Sequence, residues 1–331
     1  MNKDFWKIAY RFLILMVPFF VFLPLYCAHF QPYYMDGEYA MYRAQRDYVD
    51  LGETESTYNE IIVLGDSRTK AAINPSDFSN QMYNLSLGGT TMIEGYYTLC
   101  DYLNNHEKPK TVLINYAPFH YMDVDMFWKR SVYFHYLKKD QILEVFETAK
   151  TFEHTEDILT EQYLSDFYAY QYYMPNKYGG ALKNSCFVMR KKINDQNYEQ
   201  VSKDRGHHYF GLLAGSDGIN WEAKVPDFIY HDVILHYFEK TIALCKEQGI
   251  QVIVETTPVN ETSYGIFTES FKSHYRAYMN GVASRHPEAQ VYTDFYVYPN
   301  SYFGDADHLN PDGSKEYARF LQEKYKEVFT K

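Results

Sequence analysis

An α/β fold, with a parallel sheet held between two layers of helices, is predicted by three features of this 331-residue sequence. Short apolar runs rich in β-branched residues recur along it, segments of helical period alternate with them, and glycine or turn residues separate the two kinds. The first run, Ile61-Ile62-Val63-Leu64, is continuous rather than alternating and ends at Gly65, the pattern of a strand buried on both faces. Met82 to Leu87 and Thr111 to Tyr116 read the same way. Between them Ile93, Tyr96, Tyr97, Cys100 and Leu103 mark a helix over 91–104, which completes a βαβ unit. A second unit runs near the C-terminus: a helix over 232–248 stopped by Gly249, a strand from Gln251 to Thr256, a helix over 267–284, and a strand from Gln290 to Phe295. The last helix starts with Asn310 as N-cap and Pro311 at its first position, and carries Tyr317, Phe320, Leu321, Tyr325 and Val328 on one stripe. Between 121 and 230 the alternation stops, so that stretch is expected to be a large Tyr-rich insertion.

The N-terminus carries a different signal. Phe12 to Ala28 is a 17-residue run without charge, and at about 1.5 Å per residue it reaches most of the way across a roughly 30 Å hydrocarbon layer. Pro18 and Pro24 would break a soluble helix and are better tolerated in a membrane span. Lys3, Lys7 and Arg11 precede the run against a single Asp4, so the positive-inside bias predicts a cytoplasmic N-terminus and an extracytoplasmic remainder. Bulky Tyr26 near the exit of the run suits neither signal cleavage nor lipid attachment. The expected organisation is a cytoplasmic tip and single-pass transmembrane anchor over 1–30, a polar stalk over 31–58, and an extracytoplasmic domain over 59–331 with the insertion at about 121–230.

Charge and cysteine usage remove several classes of function. After residue 30 there are 29 basic and 42 acidic residues, and no basic block interleaves with aromatics, so no nucleic-acid partner is expected. Cys27, Cys100, Cys186 and Cys245 are scattered without a CxxC pair, which argues against a zinc site, a redox pair or a disulfide framework. His207-His208 and the His231, His236 pair lack the spacing and carboxylate of a zinc site, so neither a metal nor another cofactor is expected. Tyr168, Tyr170, Tyr172 and Tyr173 suit a glycan groove or an aromatic packing surface equally well.

The chemistry is read at strand ends. Gly65-Asp66-Ser67-Arg68 follows the first strand directly, and open α/β sheets bind their ligands at the carboxyl ends of strands. More than two hundred residues later, Gly304-Asp305-Ala306-Asp307-His308 precedes the capped last helix. The three-residue step places Asp305 and His308 on one side of a turn, so that Asp305 can hold one ring nitrogen while the other faces Ser67. Asp307, adjacent to the histidine, is the poorer orienter.

Taken together, GDS at 65–67, the Asn84-Leu85-Ser86-Leu87-Gly88-Gly89 segment and Asp305-x-x-His308 resemble the SGNH, or GDSL-type, hydrolase superfamily over 61–118 and 232–331. The resemblance implies an SGNH-like, flavodoxin-like three-layer sandwich. It further implies Ser67 as nucleophile, His308 as base, Asp305 as its orienter, and the N–H groups of Ser67 and Gly88 as oxyanion donors. Where the family carries a Gly-x-Asn-Asp block, this sequence reads Asn115-Tyr116-Ala117-Pro118-Phe119-His120, which leaves Asn115 and His120 as candidates for a further donor. The N-terminal anchor and the DHLNPDG ending are similar to envelope-modifying members, the teichoic-acid D-alanylation protein DltD and the alginate O-acetylation proteins. That likeness implies transfer or hydrolysis of acetyl or D-alanyl groups on an envelope polysaccharide or teichoic acid, beside a membrane-bound O-acyltransferase as partner. A catalytically inactive scaffold subunit of such a complex is the alternative.

Overall fold

The computed structural model describes residues 3–51, 58–124, 126–159 and 161–329. Helix α1 (Lys3–His29) contains both prolines, and within Phe5–His29 an 18-residue window has a mean hydropathy of 2.1 and is not buried by the rest of the chain. It is thus long and apolar enough to be a membrane anchor or a signal sequence.

The next segment departs from the expected stalk. It forms helices α2 (Gln31–Tyr34) and α3 (Tyr39–Leu51), and α3 buries Tyr39, Met41, Tyr42, Ala44, Gln45 and Val49. Arg43, Arg46, Asp47 and Asp50 on the outer face of α3 make the stretch read as polar, while tyrosines and a glutamine occupy much of the inner face. The end of α1 is also tied down: Cys27 is fully buried among Tyr34, Met35, Tyr39 and Tyr178, and the Tyr34 hydroxyl donates to Cys27 O at 2.7 Å. Residues 52–57 of the expected stalk lie outside the described residues.

The sheet then follows the predicted alternation. Strand β1 (Ile61–Gly65) leads into the short helix α4 (Ser67–Ala72), β2 (Met82–Asn84) into α5 (Met92–Asn105), and β3 (Thr111–Asn115) closes the first unit. The region expected as an insertion folds as helices α6 (Lys139–Ala149), α7 (Glu161–Gln171), α8 (Pro175–Ser185) and α9 (Arg190–Lys203). Helix α9 packs on α2 and α3, where Asn194 donates to Pro32 O and Met35 O at 2.8 and 2.9 Å. The second unit comprises α10 (Asp232–Glu247), β4 (Gln251–Glu255), β5 (Val259–Asn260), α11 (Glu261–Ile266), α12 (Glu269–Arg285), β6 (Gln290–Val291), β7 (Val297–Tyr298) and α13 (Pro311–Lys324).

Strands β2, β1, β3, β4 and β6 lie in that order and are all parallel, while β5 and β7 form a separate pair. This is the flavodoxin-like doubly wound order, whose switch point lies between β1 and β3. Period-two burial divides two cores across the sheet. Ile61, Val63, Leu113 and Ile253 face α13, through Tyr317 and Leu321, whereas Ile62, Leu64, Val112, Ile114, Val252 and Val254 join the core that holds α5, α10 and α12.

Two strands are shorter than their apolar runs. Strand β2 stops at Asn84, whose side chain accepts Ser86 N–H at 3.0 Å and turns the chain. Strand β6 stops at Val291: Tyr292 N–H still donates to Val254 O, but Tyr296 O then accepts from Val259 and opens the second sheet.

Candidate active site

Ser67 is placed by the end of β1 and the cap of α4. The carboxylate of Asp66 is fully buried and accepts the N–H groups of Arg68 and Thr69 at 2.7 and 3.1 Å, which caps α4 and leaves the Ser67 N–H uncommitted by that cap. The same carboxylate accepts Ala117 N–H at 2.8 Å, joining the ends of β1 and β3 across the switch point. Gly65 is required here, because a Cβ at this position would meet the carbonyl of its register partner Asn115 and the side chain of Thr69.

His308 arrives on a closed loop before α13. Gly304 N–H donates to His308 O at 2.9 Å, Phe303 and Leu309 form an antiparallel bridge, and Asn310 caps α13 through Asp312 and Gly313 N–H. His308 Nε2 lies 2.9 Å from Ser67 Oγ, and its Nδ1 lies 2.9 and 3.0 Å from the two oxygens of Asp305. Asp305 Oδ1 also accepts the N–H groups of Asp307 and His308 at 2.8 and 2.7 Å. Burial works to raise the Asp305 pKa, but the His308 ring and these two N–H groups outweigh it and hold the carboxyl at about 2. Asp305 is therefore ionised at neutral pH and fixes the Nδ1–H tautomer of His308, which leaves Nε2 free to accept the Ser67 proton.

The rival carboxylate is engaged elsewhere: Asp307 Oδ1 lies 2.9 Å from the Arg68 guanidinium, which also pairs with fully buried Glu222. Gly88 lies in the buried loop after β2, with its carbonyl accepting the Tyr42 hydroxyl at 2.7 Å. The carboxylate of Glu38, paired with Arg130 at 2.8 Å, packs against its Cα where a Cβ would stand.

Two further candidates are engaged by other groups. Asn115 is fully buried and its Nδ2 donates to Tyr317 Oη at 3.2 Å, so that donor is committed to α13. His120 Nε2 lies 3.3 Å from the Asp66 carboxylate.

The chain before α10 completes the site, a contribution that alternation could not reveal. His208 N–H donates to Lys70 O, the ring of Phe210 lies 4.7 Å from that of His308, and Gly211 packs backbone to backbone on Gly304. Lys70, one turn after Ser67, is fully buried and donates to Ser86 O at 2.9 Å. The Ser67-x-x-Lys70 spacing on one helix was the available signal for that residue. Of the four tyrosines at 168–173, Tyr170 and Tyr173 pack on the aromatic cluster around Tyr178, whereas Tyr168 and Tyr172 are exposed.

No family model matches this chain, and no curated protein matches it. Among solved structures it is similar to a "putative acylhydrolase" from Bacteroides fragilis, with 12% identity, a TM-score of 0.39, and coverage of 89% of this chain and 100% of that one. It is also similar to a "putative platelet activating factor" from Streptococcus pneumonia, with 12% identity, a TM-score of 0.37, and coverage of 85% and 91%.

Proposed function

We propose that this protein is a membrane-anchored serine enzyme that transfers or hydrolyses O-acyl groups, acetyl or D-alanyl, on an extracytoplasmic envelope polysaccharide or teichoic acid. The observation that carries the reading is the row Ser67 Oγ, His308 Nε2, His308 Nδ1, Asp305, with 2.9 Å at each hydrogen bond. As Ser67 Oγ attacks the acyl carbonyl carbon, its proton passes to His308 Nε2, and the N–H groups of Ser67 and Gly88 receive the developing oxyanion. The tetrahedral intermediate expels the donor oxygen, which leaves with the proton from His308, and the acyl group stays on Ser67 as an ester. A sugar hydroxyl or water then attacks that ester and gives its proton to His308, which passes it to Ser67 Oγ as the acyl–serine bond breaks and the acyl group leaves on the acceptor oxygen. Helix α1 would hold the site outside the membrane, next to a membrane-bound O-acyltransferase that delivers the acyl group.

A second reading, a catalytically silent scaffold, is favoured by the commitment of Asn115 Nδ2 to Tyr317. The deciding experiment is intact-mass analysis of the full chain in detergent after p-nitrophenyl acetate, beside Ser67→Ala, with released nitrophenol followed in the same tubes. The enzyme reading expects an acetyl adduct or turnover that disappears in the variant; equal release from both proteins would sink it. Sugar acceptors added to the acylated protein then separate transfer from hydrolysis.

A further inference from the structure

The corner between α8 and α9 carries features that the acyl chemistry does not use. Between this corner and the end of α1 lies a cavity of about 980 Å³, to which α1 contributes Leu23 and Tyr26. At its rim Phe187, Val188 and Met189 are 100%, 45% and 71% exposed, three consecutive apolar side chains facing outward. The residues that follow, Arg190-Lys191-Lys192, form the first turn of α9, which holds no acidic residue and has no side-chain cap on its N–H groups. Helix N-termini favour anions, so three cations there oppose the helix dipole and leave an anion wanting. Lys191 pairs with Asp195, but Arg190 and Lys192 have no acidic partner among the described residues, and Arg190 Nε is buried without a hydrogen-bond partner.

The cavity is lined by Lys183, Arg190, Lys191 and Lys192 against Asp195 and Glu199, beside the apolar Leu23, Tyr26 and Val188. Cations therefore outnumber acids, and an occupant anionic at one end and apolar along the other fits it from the side of α1. We propose that this corner binds one anionic phospholipid, with its phosphate on Arg190 and Lys192 and an acyl chain along Leu23, Tyr26 and Val188. Phe187 and Met189 enter the bilayer interface beside it, as apolar residues flanked by cations do at membrane surfaces. Although the part of the chain after residue 30 is acidic overall, with 29 basic against 42 acidic residues, attraction to a headgroup falls off within a Debye length and is set by the cations at the corner. The inference rests on reading α1 as an anchor and is independent of Ser67.

The test uses full chain purified in a neutral detergent and native mass spectrometry, with phosphatidylglycerol and phosphatidylcholine of identical acyl chains titrated separately. Wild type is expected to retain one phosphatidylglycerol with a preference of about tenfold or more over phosphatidylcholine. Arg190→Gln with Lys192→Gln should abolish the preference at an unchanged melting temperature, and Phe187→Ser with Met189→Ser should weaken retention of both lipids. Ser67→Ala should bind as wild type, which separates this inference from the acyl chemistry. Equal retention of the two lipids by wild type, or an unchanged preference in the Gln variant, overturns the proposal. Displacement of the lipid by millimolar inorganic phosphate would make this a phosphate site and overturn it as well.

Discussion

Arg68 and Glu222, 154 positions apart in the chain, meet in a buried ion pair in which the second contact, Arg68 Nη2 to Glu222 Oε2, spans 2.7 Å. Burial would lower the guanidinium pKa, but Glu222 and Asp307 more than offset it, so Arg68 stays charged. The pair ties the residue after Ser67 to the segment that leads into α10. Glu222→Ala leaves a buried cation with the partly exposed Asp307 and the neighbouring Asp66, and is expected to cost on the order of 3 kcal/mol. Arg68→Met with Glu222→Leu should recover most of that loss. Thermal unfolding of the three proteins checks this, and a Glu222→Ala melting temperature equal to wild type contradicts it.

The two acidic residues before His308 should behave differently. Asp305→Asn replaces the carboxylate that fixes the His308 Nδ1–H tautomer with an amide that can donate to Nδ1, and is expected to lower kcat about a hundredfold to ten-thousandfold. Asp307→Asn touches Arg68 rather than the imidazole and should lower kcat less than about tenfold. Steady-state hydrolysis of a p-nitrophenyl ester measures both, and equal losses would reject the division of roles.

Gly88 and Glu38 should be coupled. A methyl group at Gly88 runs into the Glu38 carboxylate, so Gly88→Ala is expected to push that side chain and the loop apart and to lower kcat about tenfold or more. Adding Glu38→Ala removes the obstacle and should restore part of the rate. A double variant no faster than Gly88→Ala rules this coupling out.

Gly211 meets an obstacle of another kind, because its methyl group would stand 2.5 Å from the Gly304 carbonyl carbon, and a backbone cannot swing aside. Gly211→Ala is therefore expected to displace the loop that holds Asp305 and to reduce kcat more than it reduces substrate binding. A changed KM with kcat preserved would show that the loop had not moved.

Lys70 gives stability a pH dependence. Burial holds its pKa down at about 7, although the Glu38 carboxylate pulls it up. Unfolded, a lysine keeps its proton to about pH 10, so between about 7 and 10 the unfolded chain binds the extra proton and stability rises with pH. Below about pH 7 the penalty of charging a buried amine is fully present. Lys70→Met should flatten this rise and raise the melting temperature at pH 6. Melting curves from pH 6 to 10 test it; a slope retained in Lys70→Met would assign the rise to another group.

Most of the sheet could be read from the sequence because β1, β3 and β4 are buried on both faces and their residues announce it. The juxtaposition of Ser67, His308 and Asp305 was legible for a related reason: each stands beside a strand end or a helix cap that has its own signature. What pattern could not supply were contacts decided by a single polar group. Asn115 looks the same in sequence whether its amide faces a ligand or Tyr317, and α3 hides an inner face behind charges four residues apart. The tail of the insertion, from His207 to Glu222, has no periodicity because its shape is imposed by Lys70, Arg68 and Gly304 rather than by its own residues.

The burial of Cys27 under Tyr34 and Tyr178 has a kinetic corollary if α1 spans a membrane. A leash would let the body sweep a hemisphere above the bilayer and dilute its serine through that volume. A clamped exit removes this freedom, so encounters with an acyl donor in the same bilayer reduce to lateral diffusion and in-plane rotation, at an effective concentration set by geometry rather than by linker length. Inserting a few glycines after His29 would trade that fixed heading for reach.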